Sequence, residues 1–350
     1  MDYQEKIKMF NDVFAPKTGE KILFLVDKPH DDIKDNEKWI DRRQMANEWF
    51  ESFKEMGKKI GFSVDIFEFN ATGIHNTSLP QDILNRITNS NLIIAMTEYS
   101  ASAPLASVCR KKDSTMRVAS MPTVERRMEK TAFKANYSDV QIYAKNIKKL
   151  LNEAISADVV FSTGDKLFLD LRNRNAHSDD GSCKDPGTLI NFPSGEGYIA
   201  PYEGVDDEVN EYGESKTQGI LPDNQHGDLI KYRVEKNLIS EVIGEGENAD
   251  KMRKFFEKDK THRNIAELGV GCNPKAVVTG NILEDEKVGG LHIAYGTSIH
   301  TGGKIQSDIH QDICFPKGLP AAAKTLTLNN PDGTKIEIIT DGNLRYDILK

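Results

Sequence analysis

The feature that most narrows what this chain can fold into is a change of grammar part-way along it. Up to about residue 157, short apolar runs alternate with stretches of helical periodicity. KILFLV (21–26) is apolar throughout, as a strand covered on both faces must be. Across 35–59, Trp39, Met45, Trp49, Phe50 and Phe53 recur at helical spacing. SVDIFEF (63–69), a helix near 80–88 after Pro80, NLIIAM (91–96), a helix near 104–112, MRVASM (116–121) and an amphipathic helix over 138–156 continue the series. Strand and helix repeated in this order predict an α/β domain over 1–157, a doubly wound parallel sheet of flavodoxin-like or similar type with right-handed crossovers. KPHDD, not G-x-G-x-x-G, follows the first strand, which speaks against dinucleotide binding.

From about residue 158 the pieces become short and strand-like. VVFSTG, KLFLDL, TLINF and GYIAPY are punctuated by Gly, Pro, Asn and Asp, and TLTLNNPDGTKIEIITDG reads as a hairpin around Asn-Pro-Asp-Gly. One helix, near 247–260, interrupts them. Residues 203–227 are acidic and nearly free of apolar runs, which predicts a long surface excursion or a flap over a site. The second half is therefore expected to be a β-rich, α+β domain over 158–350.

Composition sets limits on partners. With 350 residues the chain can bury two cores. A formal charge of −8 disfavours nucleic acid as the main partner, since phosphate binding needs a basic surface. No apolar run of about 18 residues exists to span a membrane. MDYQEKIKMF lacks the order of a signal peptide, and Cys109, Cys183, Cys272 and Cys314 are widely spaced with no C-x-x-C. Reduced thiols and a cytoplasmic location are expected.

Chemistry concentrates in the second half, in polar residues set among apolar strand-like ones. In SDIHQDICF (307–315) a strand would turn Asp308, His310 and Asp312 to one face and Ile309, Gln311 and Ile313 to the other. Taken alone, that is either the solvated face of an edge strand or a metal site. Glu196 lies between Gly195 and Gly197, where the backbone turns tightly or something approaches closely. Glu267 precedes the apolar LGVG, and a buried carboxylate needs a partner or a metal. His292 falls between Leu291 and Ile293. Each residue alone has an ordinary structural explanation. Two glutamates, two histidines and an aspartate on short strands with Gly-rich turns form the ligand set of zinc, cobalt, manganese or iron. His177, His226 and His300 sit in loop-like sequence where exposure is the default, and His30, His75 and His262 have less context still. A solvated face is expected for Asp179, Glu284 and Asp285. Lys287 would balance ligand charge, bind a substrate carboxylate or form a plain salt bridge. Asp308 would orient a ligand histidine or face solvent.

TLINFPSGEGYIAPYEG, ELGVGCNP, TGNILEDEKVGGLHIAYG and IHQD, in this order over about 185–318, resemble the thermophilic-type metallo-aminopeptidases (aminopeptidase T and aminopeptidase S) and their relatives. RVASMPTVERRM (117–128) fits the same pattern. The resemblance implies a pair of divalent ions, zinc, cobalt or manganese, held by Glu196, Glu267, His292, His310 and Asp312. It also implies a hydrolase that activates water against an N-terminal peptide bond or related amide, with Glu196 and Glu267 in catalytic positions. The subunit would have two domains, with the site in the second, and would form a homodimer acting on a small peptide or small molecule. The aminopeptidases carry a tyrosine seven residues after the histidine of the HIALG stretch, and this chain has Ile299 there. Isoleucine cannot donate a hydrogen bond to a tetrahedral intermediate. A related branch, similar to 2,5-dihydroxypyridine 5,6-dioxygenase, implies an alternative. There a single Fe(II) is held by a facial triad of His292, His310 and Asp312, and the enzyme cleaves a dihydroxylated aromatic ring. In that case Glu196 and Glu267 are surplus.

Overall fold

The computed structural model describes residues 1–205, 207–224 and 227–350, and divides into two compact units. The first comprises Met1–Gln141 with two later segments, Asp179–Ser194 and Pro274–Glu284. The second comprises Ile142–Ser178, Gly195–Asn273 and Asp285–Lys350.

In the first unit the expected apolar runs are strands Lys21–Lys28, Ser63–Asn70, Leu92–Ala95 and Arg117–Ser120, all parallel. The helix predicted over 35–59 is Glu37–Ile60. Asn36 opens it by accepting the Trp39 amide, and Gly61 closes it at φ 93°, a left-handed turn that glycine adopts without strain. Alternation along the first strand serves the two faces of the sheet. Ile22, Phe24 and Val26 join one apolar cluster with Trp49 and Phe53, while Leu23 and Leu25 join another with Ile83 and Leu105. Two apolar faces are what a doubly wound sheet requires. The fifth strand, Leu189–Asn191, comes from the TLINF piece that the sequence assigned to the β-rich half. It pairs in parallel with Arg117–Ser120 and completes the sheet. Three residues are too few for their periodicity to show which sheet they join.

The second unit is a pair of sheets over one core. An antiparallel eight-stranded sheet includes Ser156–Phe161, Lys166–Asp170, Gln218–Asp223, Ile230–Glu235 and the predicted C-terminal hairpin, Ala323–Asn329 with Lys335–Thr340. A five-stranded sheet runs His310–Cys314, Gly290–Gly296, Ile265–Gly271, Glu196–Ile199 and His177–Asp179 in spatial order. Val159, Leu167 and Leu326 from the first meet Leu268, Val270, Ile293 and Ile313 from the second in a single apolar cluster. The rings of Phe161 and Phe315 lie 4.8 Å apart within it.

The stretch 203–227 is not the surface excursion expected. It contains a short helix, Asp207–Tyr212, and a sheet strand, Gln218–Asp223, with Leu221 fully buried. Its acidic character hid buried carboxylates, Glu203, Glu208 and Asp223. Glu203 accepts hydrogen bonds from Asn264, from the Ser298 hydroxyl and from the Lys304 amide, and pairs with Arg174. No helix among the described residues is long and apolar enough to cross a membrane.

Candidate metal centre

Register places the predicted residues on one face of the five-stranded sheet. Gly269 lies opposite His292, which lies opposite Cys314. Ala294 lies opposite both Glu267 and Asp312, Gly296 opposite His310, and Gly271 opposite Glu196. Directly paired residues share a face, and so do residues two apart along a strand. The ligand-type side chains therefore converge on a surface otherwise carrying Gly269, Gly271, Ala294, Gly296 and Cys314. Leu268, Val270, Leu291, Ile293 and Tyr295 point the other way into the core. ELGVG and HIAYG are thus each a two-sided strand: large apolar residues on the core face, and small residues making room on the other.

The small residues are needed. A Cβ on Gly269 would stand 1.9 Å from His292 Nε2, so only glycine lets the imidazole lie across the neighbouring strand. A Cβ on Gly271 would meet the carbonyls of Val288 and Glu286 at 2.3 and 2.4 Å, which is where the segment carrying Lys287 packs. Beside Glu196, Gly195 has φ 130° and Gly197 sits against Ile147, so both reasons expected for those glycines apply.

Glu267 is the hub. Its Oε1 lies 3.2 Å from His292 Nε2, and its Oε2 lies 3.5 Å from His310 Nε2. Glu196 Oε2 is 3.3 Å from His292 Nε2, and Asp312 Oδ1 is 3.5 Å from His310 Nε2. The centre has a deep half, with Glu196 and His292 buried, and an outer half, with His310 and Asp312 only partly so. His310 Nδ1 donates to the Thr297 carbonyl at 2.8 Å, which leaves Nε2 facing the two carboxylates. The Nδ1 atom of His292 is buried with no hydrogen-bond partner among the described residues.

The electrostatics are those of facing acids and bases. Burial alone would lower the His292 pKa, but Glu196 and Glu267 outweigh it and hold the imidazole well above its usual range. His310 is likewise raised against burial by Asp312 and Glu267. Burial works to raise Glu267, yet His292 and His310 pull it below the usual carboxylate range. Asp312 is lowered by His310 against the same burial effect.

Among the described residues, two groups have ligand atoms within 4.8 Å of one another: Glu196, Glu267 and His292, and Glu267, His300 and His310. Nitrogen and carboxylate donors at that separation fit a divalent transition ion. His300 was expected to be an exposed loop residue. It is exposed, yet it belongs to this cluster. Its only signal in the sequence was its place beside Ile299, within the connection between two ligand-bearing strands.

Glu286 and Lys287 complete the deep half. Lys287 is fully buried and pairs with both Glu196 and Glu286. Burial, reinforced by Glu196 and Asp312, pushes Glu286 up to about 8. The salt bridge expected as one reading of Lys287 is present, and because Glu196 is one of its partners it coincides with the reading in which Lys287 balances ligand charge.

Other expectations are corrected. The strand begins at His310, so Asp308 does not share its alternation. Asp308 instead takes His262 Nε2 at 2.7 Å, and it is His262, not a ligand histidine, that the pair orients. Asp179, Glu284 and Asp285 are buried, not solvated. Asp179 accepts the Asn191 amide at 2.9 Å, and Glu284 pairs with Arg127 and takes the Thr131 hydroxyl. Acidic runs read as solvated because their partners lie more than 100 residues away for Glu284. His177 stacks on Tyr198, with ring centroids 5.7 Å apart. His226 lies outside the described residues.

With this geometry in view, comparison with known proteins is informative. The family model of 2,5-dihydroxypyridine 5,6-dioxygenase (NicX) matches residues 60–317, more than half of the chain. The chain belongs to this family. The structure of 2,5-dihydroxypyridine dioxygenase from Pseudomonas putida KT2440 aligns with a TM-score of 0.70 at 16% identity, covering 99% of this chain and 98% of that one. AmpT from Thermus thermophilus aligns with a TM-score of 0.61 at 13% identity, covering 98% of each chain. At such identities these two show a shared fold. No curated protein sequence matches significantly. The motif-based resemblance therefore holds for the aminopeptidase fold and its dioxygenase relatives together. Membership of this enzyme family, with residue groups suited to a metal, supports a metal-dependent enzyme.

Proposed function

We propose that this member of the 2,5-dihydroxypyridine 5,6-dioxygenase family is a metal-dependent hydrolase of the aminopeptidase-like class, using a dinuclear centre against an N-terminal peptide bond or related amide. Glu267 carries the reading. Its two oxygens face two different imidazoles, His292 and His310, so Glu267 would help to hold an ion on either side. Glu196, His292 and Glu267 would hold one ion, and Glu267, His310 and Asp312 the other. The cradle left by Gly269 lies against Nε2, the atom that faces Glu196 and Glu267, which supports a ring positioned for ligation and not for packing. When bound, zinc, cobalt or manganese supplies Lewis acidity toward a carbonyl and lowers the pKa of water.

The chain's residues orient that chemistry. Lys287 holds one oxygen of Glu196 and leaves the other toward His292. Thr297 fixes the ring of His310 through Nδ1. Residues of this kind, which hold ligands in place, typically change metal affinity 10–100-fold when removed.

Family membership and the TM-score of 0.70 favour a second reading, a mononuclear iron enzyme that cleaves a dihydroxylated pyridine-type ring with His292, His310 and Asp312. Against it, His292 and His310 fall in different ligand-distance groups, each built on a glutamate that the triad does not use. Metal content per chain, measured on protein purified without oxygen or added metal, separates the two. Close to two zinc, cobalt or manganese ions supports the hydrolase, and one iron overturns it. Glu196→Gln should abolish amide hydrolysis by a dinuclear centre and spare ring cleavage by a mononuclear one.

A further inference from the structure

We infer that His300 is a metal ligand of the outer half of the centre, joining His310 and Asp312 around the ion that Glu267 shares. This rests on the metal-centre reading above, and it assigns a donor absent from the five-residue set that the motifs implied.

Three observations carry it. Ligand atoms of Glu267, His300 and His310 lie within 4.8 Å of one another, so a single ion can reach all three after small side-chain adjustments. The His300 and His310 rings meet edge to face with centroids 4.4 Å apart, bringing both imidazoles to one locus. The turn that carries His300 is built, not loose. It is a single 3₁₀ turn, Ile299–Thr301, closed by Gly302 at φ 93°. Thr301 is buried, and its hydroxyl donates to the carbonyl of Ala266, the residue next to Glu267. The Thr301 carbonyl accepts the Ala200 amide. Upstream and downstream, Glu203 receives the Ser298 hydroxyl and the amides of Lys304 and Ile305. A turn fastened at both ends and at its centre, yet presenting one exposed imidazole over a carboxylate and another imidazole, holds that imidazole at low entropic cost for ligation.

The test uses the full chain, stripped with a chelator and titrated with Co²⁺ under equilibrium dialysis and visible absorption. His300→Ala should leave the tighter Co²⁺ of the deep half unchanged and weaken the outer one about 10–100-fold. His300→Cys should introduce a thiolate-to-cobalt charge-transfer band beyond any that the wild type shows through Cys314, the cysteine on the same sheet face. Wild-type affinity for every ion in His300→Ala, with no new band in His300→Cys, overturns the assignment and leaves His300 as a substrate contact or an aromatic neighbour. If the wild type binds a single Co²⁺ that His300→Ala weakens, the ligand assignment stands and the two-ion reading falls. A wild type that binds none overturns both. Since His300 is exposed, metal-free thermal unfolding of both variants should match the wild type, which excludes misfolding as the cause.

Discussion

Gly269 and Lys287 are the two residues outside the ligand set on which the deep half most depends. A methyl group at 269 would overlap the His292 ring, and a strand backbone cannot move aside for it. Gly269→Ala should therefore displace His292, weaken Co²⁺ binding at that half at least tenfold and cost about 1–3 kcal/mol of stability from overpacking. Dialysis against Co²⁺ and urea unfolding would measure the two effects separately, and unaltered binding would show that the ring has room. Lys287 acts through charge. Removing it takes away the buried ammonium that Glu196 and Glu286 both pair with and leaves His292 as the cationic neighbour of Glu196, so Lys287→Met should destabilise the chelator-treated protein by about 3–5 kcal/mol. Divalent metal should restore part of that loss, because a cation again sits among the carboxylates. Urea unfolding with and without metal would show it, and a loss that metal leaves untouched would mean that Lys287 supports the fold alone.

Strands show what the sequence made legible. Period-two alternation in ELGVG, HIAYG and HQDIC is visible without a structure, because each strand turns apolar residues (Ile313 in the last) to a shared core and small, carboxylate or imidazole residues to the other face. The parallel sheet was legible for a different reason, apolar runs covered on both faces, except for Leu189–Asn191, where three residues are too short a run to assign to a sheet. What could not be read were partners distant in sequence. Glu203 looked like one more acid in an acidic stretch, and its donors Asn264, Ser298 and Lys304 lie 61–101 residues away. His300 escaped because a 3₁₀ turn has no periodicity, and what brings it into the cluster is the bond from Thr301 to Ala266. Asp308 is the reverse case, a residue that alternation left between the centre and solvent and that is exposed just before the strand starts. Asp308→Asn should leave metal content unchanged and cost no more than about 1 kcal/mol, since its side chain is largely exposed and its pairing with His262 is at the surface end. Elemental analysis of the variant would decide, with a lost ion restoring Asp308 to the centre.

Across the molecule, the same cluster ties metal, proton and stability together. In the metal-free protein, carboxylates raise His292 and His310 well above the usual imidazole range, and the two imidazoles lower Glu267. A histidine raised on folding contributes its full stability below the unfolded value of about 6.5 and loses it as pH climbs toward the folded value. A glutamate lowered on folding contributes above about 4.3 and loses stability only as pH falls toward its folded value. Between pH 6 and 8 the glutamate's contribution is therefore constant, while that of the histidines declines, so the metal-free protein should become less stable across this interval. Metal binding works in the opposite sense. Both imidazoles must release their protons to ligate, so metal competes with about two protons per chain at low pH and gains affinity as pH rises. Ligand that binds only the folded state adds stability in proportion to the logarithm of its occupancy ratio. The gap in melting temperature between metal-loaded and chelator-treated protein should thus be small at pH 6 and widen steadily to pH 8, with proton release visible as buffer-dependent heat on titration. A gap that stays flat would mean that the imidazoles are already neutral before metal arrives, and that the carboxylates facing them hold the cluster together by hydrogen bonds without imidazolium charge.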